Sequence, residues 1–176
     1  MKLPPQYAWL AKEAGPKILL EGLRLFGIKE TAGAGNTPEI MAWARETNLA
    51  KDYVADAVPW CGLWMAVVAQ RAGWTPVDKP LWAQNWNRFG AKADKPSLGD
   101  ILVFGRTGGG HVGVYVGEDA TAFHVLGGNQ SDQVCITRIL KTRLLGCRRP
   151  VWRIAQPANV RPIKLAAAGA LSKNEA

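Results

Sequence analysis

Three cysteines and two histidines are the residues of this chain best equipped for nucleophilic and proton-transfer chemistry. One cysteine has a distinctive setting. Cys61 lies in VPWCGLW, between two tryptophans and just ahead of MAVVAQRAGW, which reads as an apolar helix. The N-terminal end of a helix carries partial positive charge and favours thiolate over thiol. His111 begins HVGVYV, a strand pattern with His111, Gly113 and Tyr115 on one face and Val112, Val114 and Val116 on the other. Gly113 removes a side chain where a helix could approach closely. A helix-start cysteine beside a strand histidine is the arrangement of thiol hydrolysis. The thiolate attacks a carbonyl, the imidazole holds and returns the proton, and a third polar group orients the ring. Taken singly, each residue has a commoner use: a cysteine as a small buried hydrophobe, a strand-end histidine as a partner for backbone.

The elements that must hold this pair divide the chain in two. Residues 1 to about 90 read as mainly helical. Pro16 opens a predicted helix through Phe26, with Ile18, Leu19, Leu23 and Phe26 on one face. Thr37, Pro38 and Glu39 resemble a cap and first turn for a helix through Glu46. Pro59 is expected just inside the cysteine helix, which Gly73 ends, and a short helix follows over 81–89. From Leu98 the pattern changes to strands: a run at 101–104, a hairpin turning near Glu118 and Asp119, then VCITRIL and RLLGCRRP. Helices followed by consecutive strands predict an α+β fold with an antiparallel sheet against the cysteine helix. Residues 1–154 read as one catalytic domain. Residues 155–176, rich in alanine and proline, read as a loosely ordered tail.

Composition narrows the possibilities. At 176 residues, 48% hydrophobic and 20% charged, the chain can bury a core and is not a disordered polymer. Three cysteines without a CxxC pair argue against a disulfide scaffold or a zinc site. The N-terminus lacks the apolar core of a signal peptide, and no apolar run is long enough for an integral membrane segment. The net charge of +8 points to an anionic partner. The basic residues are dispersed, with one short cluster at Arg148, Arg149 and Arg153, and no nucleic-acid-binding motif accompanies them.

Several ordered blocks together resemble a known family: PWCGLWMAVVAQRAGW, LGDILVFGRTGGGHVGVYVGED, HVLGGNQSDQVCITRI and LLGCRRP. They are similar to the CHAP and NlpC-like peptidoglycan hydrolases, and most similar to a phage-lysin branch with a GGNQ signature. The segment LFGIKETAGAGNTPEIMAWA resembles the helical N-terminal part of that branch. The resemblance spans roughly residues 16 to 150. It implies a papain-like fold and cleavage of an amide bond in the wall peptide, with Cys61 as nucleophile, His111 as base and no metal or other cofactor. Asn129 matches the orienting residue of CHAP-type enzymes, although Gly127 replaces an acid often found two residues earlier. His124 lies near the second histidine of NlpC-like enzymes. A two-residue turn at Glu118 and Asp119 would set Gly113 opposite His124 and bring both histidines to one face. The GGNQ match favours Asn129, with His124 as the alternative or as a substrate contact.

Further candidates carry weaker signals. Asp56 could bind substrate amines or be a solvated loop acid, and Trp60 could wall the cleft or belong to the core. Gln130 could donate to an oxyanion, as could the N–H groups at the helix start. Trp82 and Trp86, four residues apart, suggest packing more than a sugar platform. Cys135 and Cys147 read as structural thiols, and Lys92, Lys95, Arg106 and the tail as attractors of an anionic polymer. The expected protein is a monomeric phage endolysin. It would have peptidoglycan as partner and stay in the host cytoplasm until release to the periplasm. A virion-associated hydrolase, a delivered amidase toxin, a papain-fold acyltransferase or deamidase, and an idle wall-binding module remain alternatives.

Overall fold

The computed structural model describes residues 2–33, 35–152 and 155–173. Three α-helices come first: α1 (Lys17–Arg24), α2 (Pro38–Glu46) and α3 (Cys61–Arg71). Six strands follow: β1 (Ala91–Lys92), β2 (Ile101–Arg106), β3 (Gly109–Glu118), β4 (Ala122–Gly127), β5 (Cys135–Leu140) and β6 (Leu144–Arg149). They form one antiparallel sheet in the order β1-β6-β2-β3-β4-β5. The chain is α+β, as its two-part texture predicts. Short 3-10 helices cover Pro5–Lys12, Ala83–Arg88 and Lys141–Arg143.

The sheet is buried on both faces. Ile101, Val103, Val112, Val114, Val116 and Leu126 join the helices in the main core. Leu102, Phe104, Tyr115, Phe123, Val125 and Ile139 form a second cluster on the other side. The helix α3 is apolar all round, with every residue from Cys61 to Ala69 buried. A helix of that kind belongs at the centre of a domain. It contacts α1, α2 and β3 at once. Its C-terminal end closes with the Gly73 and Trp74 N–H groups bonding to the Gln70 and Ala69 carbonyls, as a helix stop at Gly73 requires.

Two expectations change. The helix begins at Cys61 with Trp60 as its N-cap, so Pro59 precedes it and the thiol stands on the first helical residue. The tail is also not loose over its described part. Its backbone bonds to the sheet through Leu98 to Arg161, Glu118 to Ile163, Leu165 to Glu118 and Ser172 to Arg138. Val160 is buried, and Ile163 and Leu165 pack on the core. Few large apolar residues suffice here because Leu98, the end of β3 at Glu118 and the edge strand β5 at Arg138 supply backbone hydrogen-bond partners along the strap.

Candidate active site

Cys61 reaches the sheet at a gap in its hydrogen-bond ladder. Tyr115 exchanges both backbone bonds with the β2 side, through the Asp100 carbonyl and the Gly99 N–H. Antiparallel ladders alternate, so Val112 and Val114 direct their N–H groups toward β4. The pairing of β3 with β4 begins only at Val114 and Leu126. The Val112 N–H is thus left beyond the end of the β4 ladder, and it bonds to the Cys61 sulfur. The thiol stands where β4 parts from β3, against the residue after His111. Gly128 makes this approach possible, since a Cβ there would lie 2.5 Å from Trp64 Cβ and 2.8 Å from the Trp60 ring.

His111 sits in the same parting and is almost fully buried. Its Nε2 lies 3.0 Å from Gln130 Oε1. The Gln130 amide nitrogen faces the carbonyls of Val125, Gly127 and Cys135, the last at 2.6 Å. Carbonyls only accept, so this end must be the NH2 group and Oε1 must be the acceptor turned to the ring. His111 therefore carries its proton on Nε2, and in the neutral ring Nδ1 is the basic nitrogen. Gln130 is aimed by the bend after β4: Asn129, Ser131 and Asp132 have φ of 55°, 53° and 57°. Such left-handed backbone suits asparagine and aspartate.

Burial governs the thiol. It pushes the Cys61 pKa up, and the Val112 hydrogen bond, the Arg106 guanidinium and the backbone of Gly62 and Cys61 pull the other way. Desolvation is the largest of these influences, so burial opposes the thiolate that position at a helix start favours. Burial also raises the Cys135 thiol and lifts Cys147 to about 12. All three cysteines are free.

The structure redistributes the other predicted site residues. Gln130, expected as an oxyanion donor, occupies the place at His111 Nε2 that was expected for Asn129 or His124. Asn129 is buried in the bend beside it. His124 is far away, because the hairpin turns at 119–122 rather than at Glu118 and Asp119, which sets Gly117, not Gly113, opposite His124. Six strand positions separate His111 from Gly117, roughly 20 Å. Both ring nitrogens of His124 are engaged, Nδ1 by the Tyr7 hydroxyl at 2.6 Å and Nε2 by Asp119 at 3.0 Å. Gly113 makes room for β4 rather than a helix, since a Cβ there would meet Val125 and the Leu126 carbonyl.

Asp56 and Trp60, both expected to touch substrate, are interior. Asp56 is 1% exposed and accepts from the Thr37 and Thr31 N–H groups, tying the loop before α2 to the loop before α3. Trp60 is fully buried, donates to Glu30 at 2.8 Å and packs on Trp43. Trp82 and Trp86 part company: Trp86 is buried and bonded to the Pro80 carbonyl, while Trp82 is exposed. The basic cluster is partly structural, with Arg149 paired to Asp100 and Arg148 bonded to the Phe89 and Gly90 carbonyls. Arg153 lies outside the described residues.

Gln130 was legible as polar and near Asn129, but nothing in the one-dimensional pattern shows which side chain of the bend faces the ring. Among the described residues there is no cluster of His, Cys, Asp and Glu suited to a metal ion, and no helix long and apolar enough to cross a membrane. Comparison with models of known protein families and with curated proteins returns no match for this chain.

Proposed function

We propose that this chain is a papain-like thiol hydrolase that cleaves an amide bond of peptidoglycan stem peptides, as expected of a phage lysin. The observation that carries the reading is the fixed tautomer of His111. Gln130 holds the proton on Nε2, and the Cys61 sulfur, on the first residue of α3, bonds to the N–H of Val112, the residue after His111. A base locked in one tautomer beside a helix-start thiol is the working arrangement of thiol acyl transfer.

The steps follow from those roles. His111 Nδ1 takes the thiol proton as the Cys61 sulfur bonds to the amide carbonyl carbon. The carbonyl oxygen becomes an oxyanion, for which the backbone N–H groups of Cys61 and Gly62, beside the sulfur at the start of α3, are the nearest donors. Collapse breaks the C–N bond, and the imidazolium returns its proton to the leaving amine. Water then attacks the thioester, giving up a proton to His111, and the thiol is restored as the carboxylic acid leaves. The basic surface charge draws the enzyme to an anionic wall.

A zymogram with purified peptidoglycan tests the reading. The parent protein is expected to clear the wall and Cys61→Ser is not, and mass spectrometry of the fragments identifies the bond. Wall binding without clearing by the parent would replace the hydrolase with a binding module.

A further inference from the structure

Trp82 is 71% exposed, whereas Trp43, Trp60, Trp64 and Trp86 are at most 2% exposed. A large apolar ring in solvent is informative when its backbone is held. This one is held. The Trp82 N–H bonds to the Lys79 carbonyl, its own carbonyl accepts from Asn85, and the Asn85 side chain returns to Lys79. Lys79 has a φ of 50°, an uncommon conformation for lysine and of the kind that collects at ligand sites.

The same segment touches both sides of the candidate active site. The Pro80 and Leu81 carbonyls press on Gly62, next to Cys61, so closely that a Cβ there would collide with them. Gln84 lies against Gly110, next to His111, and its amide nitrogen is 3.3 Å from the Gly109 carbonyl. Beside Trp82 opens a cavity of about 450 Å³ lined by Leu49, Asp52, Lys79, Pro80, Leu81 and Trp82. That volume lies within the roughly 300–1,000 Å³ of small-molecule sites. Asp52 and Lys79 are exposed, and neither joins an ion pair among the described residues.

We propose that this cavity is a sugar subsite that holds an N-acetylhexosamine of the wall glycan beside the bond to be cut. The inference rests on the wall-hydrolase reading for its substrate, and on Trp82 and its neighbours for its chemistry. A pyranose presents a C–H face that stacks on an indole. Its acetamido methyl suits Leu49, Pro80 and Leu81. Its hydroxyl and amide hydrogens suit Asp52, and its oxygens suit Lys79. Exposed Asp52 and Lys79 at the cavity suit a neutral ligand that carries both hydrogen-bond donors and acceptors.

The test is a titration of the full chain with the tetramer of N-acetylglucosamine, followed by NMR of the indole N–H signals. Trp82→Phe identifies the Trp82 signal by its loss. The Trp82 signal is expected to shift and saturate at millimolar sugar while those of the buried tryptophans stay in place. Trp82→Ala is expected to weaken sugar binding at least roughly tenfold, as truncating an aromatic anchor does. On intact wall the same variant is expected to raise the substrate needed for half-maximal lysis more than it lowers the limiting rate. A Trp82 signal unmoved at millimolar tetramer, or a Trp82→Ala loss confined to the limiting rate, overturns the subsite. If the parent lyses wall and the sugar leaves Trp82 unmoved, the subsite falls and the hydrolase stands. If the sugar binds and no lysis occurs, the subsite stands and the hydrolase falls.

Discussion

Replacing Gln130 by alanine removes the acceptor that holds the proton on His111 Nε2 and the donor shared by the Val125, Gly127 and Cys135 carbonyls. The bond to the ring is worth about 1–1.5 kcal/mol net, and that difference shifts the tautomer ratio by roughly tenfold. Loss of ring orientation adds to it, so turnover on wall is expected to fall between about tenfold and a hundredfold, within what general acid–base catalysis contributes. Stability should fall by about 1–3 kcal/mol, because buried carbonyls lose a donor. Two assays separate these effects. Denaturant unfolding reads the stability, and nitrogen-15 NMR of the imidazole reads the tautomer directly, with or without a cleavable substrate. Parent protein is expected to show protonated Nε2, and Gln130→Ala a mixture. If Gln130→Ala lyses wall at the parent rate with an unchanged tautomer, or if Asn129→Ala costs more than Gln130→Ala, the assignment of the orienting role is wrong.

Cys61→Ser is expected to unfold like the parent and to clear no wall, whereas Cys135→Ser and Cys147→Ser keep most activity; zymograms of the three variants check this. Acid should weaken the fold through His124, whose pKa is held below the usual 6.5 by burial, against the pull of Asp119. Asp119 stays ionised throughout, since the Arg138 bond keeps its carboxyl well below the usual range, and the Tyr7 hydroxyl facing the ring is raised to about 12. The unfolded chain therefore takes a proton that the folded ring refuses. Stability from this group is full above pH 6.5 and falls as pH drops toward the folded value, by at most about 1.4 kcal/mol per pH unit. Urea midpoints at pH 7 and pH 5.5 should show this slope, and His124→Gln should flatten it. Deleting residues 156–176 uncovers Val160, Ile163 and Leu165 and is expected to cost about 3 kcal/mol by denaturant unfolding, at roughly 1 kcal/mol for each partly buried side chain. Wall lysis, followed by turbidity, should slow between 0.1 M and 1 M salt as the screening length shrinks from about 10 Å to about 3 Å, while a neutral soluble fragment is less affected.

The sequence by itself determined the parts governed by local periodicity. The α+β class, an apolar helix carrying Cys61 and ending near Gly73, strands over 101–104 and from His111 onward, and the alternation that separates His111 from Val112 all follow from side chains repeating at helical or strand period. The same local chemistry marked Cys61 and His111 as the pair to watch. Tertiary structure alone decided their partners. The β3–β4 turn falls at 119–122 instead of at Glu118 and Asp119, which removes His124 from the site and gives it to Tyr7 and Asp119. The position of the turn sets every facing pair of a hairpin, and neighbouring polar residues offer more than one place for it. The left-handed bend after β4 turns Gln130 rather than Asn129 to the ring. The tail was misjudged from its few apolar residues because its attachment depends on backbone groups at Leu98, Glu118 and Arg138, which every sequence possesses and only the folded sheet sets in order. Burial decided the state of the thiol: position at a helix start is written in the chain, whereas desolvation of the sulfur exists only once β3, Gly128 and the tryptophans have closed around it.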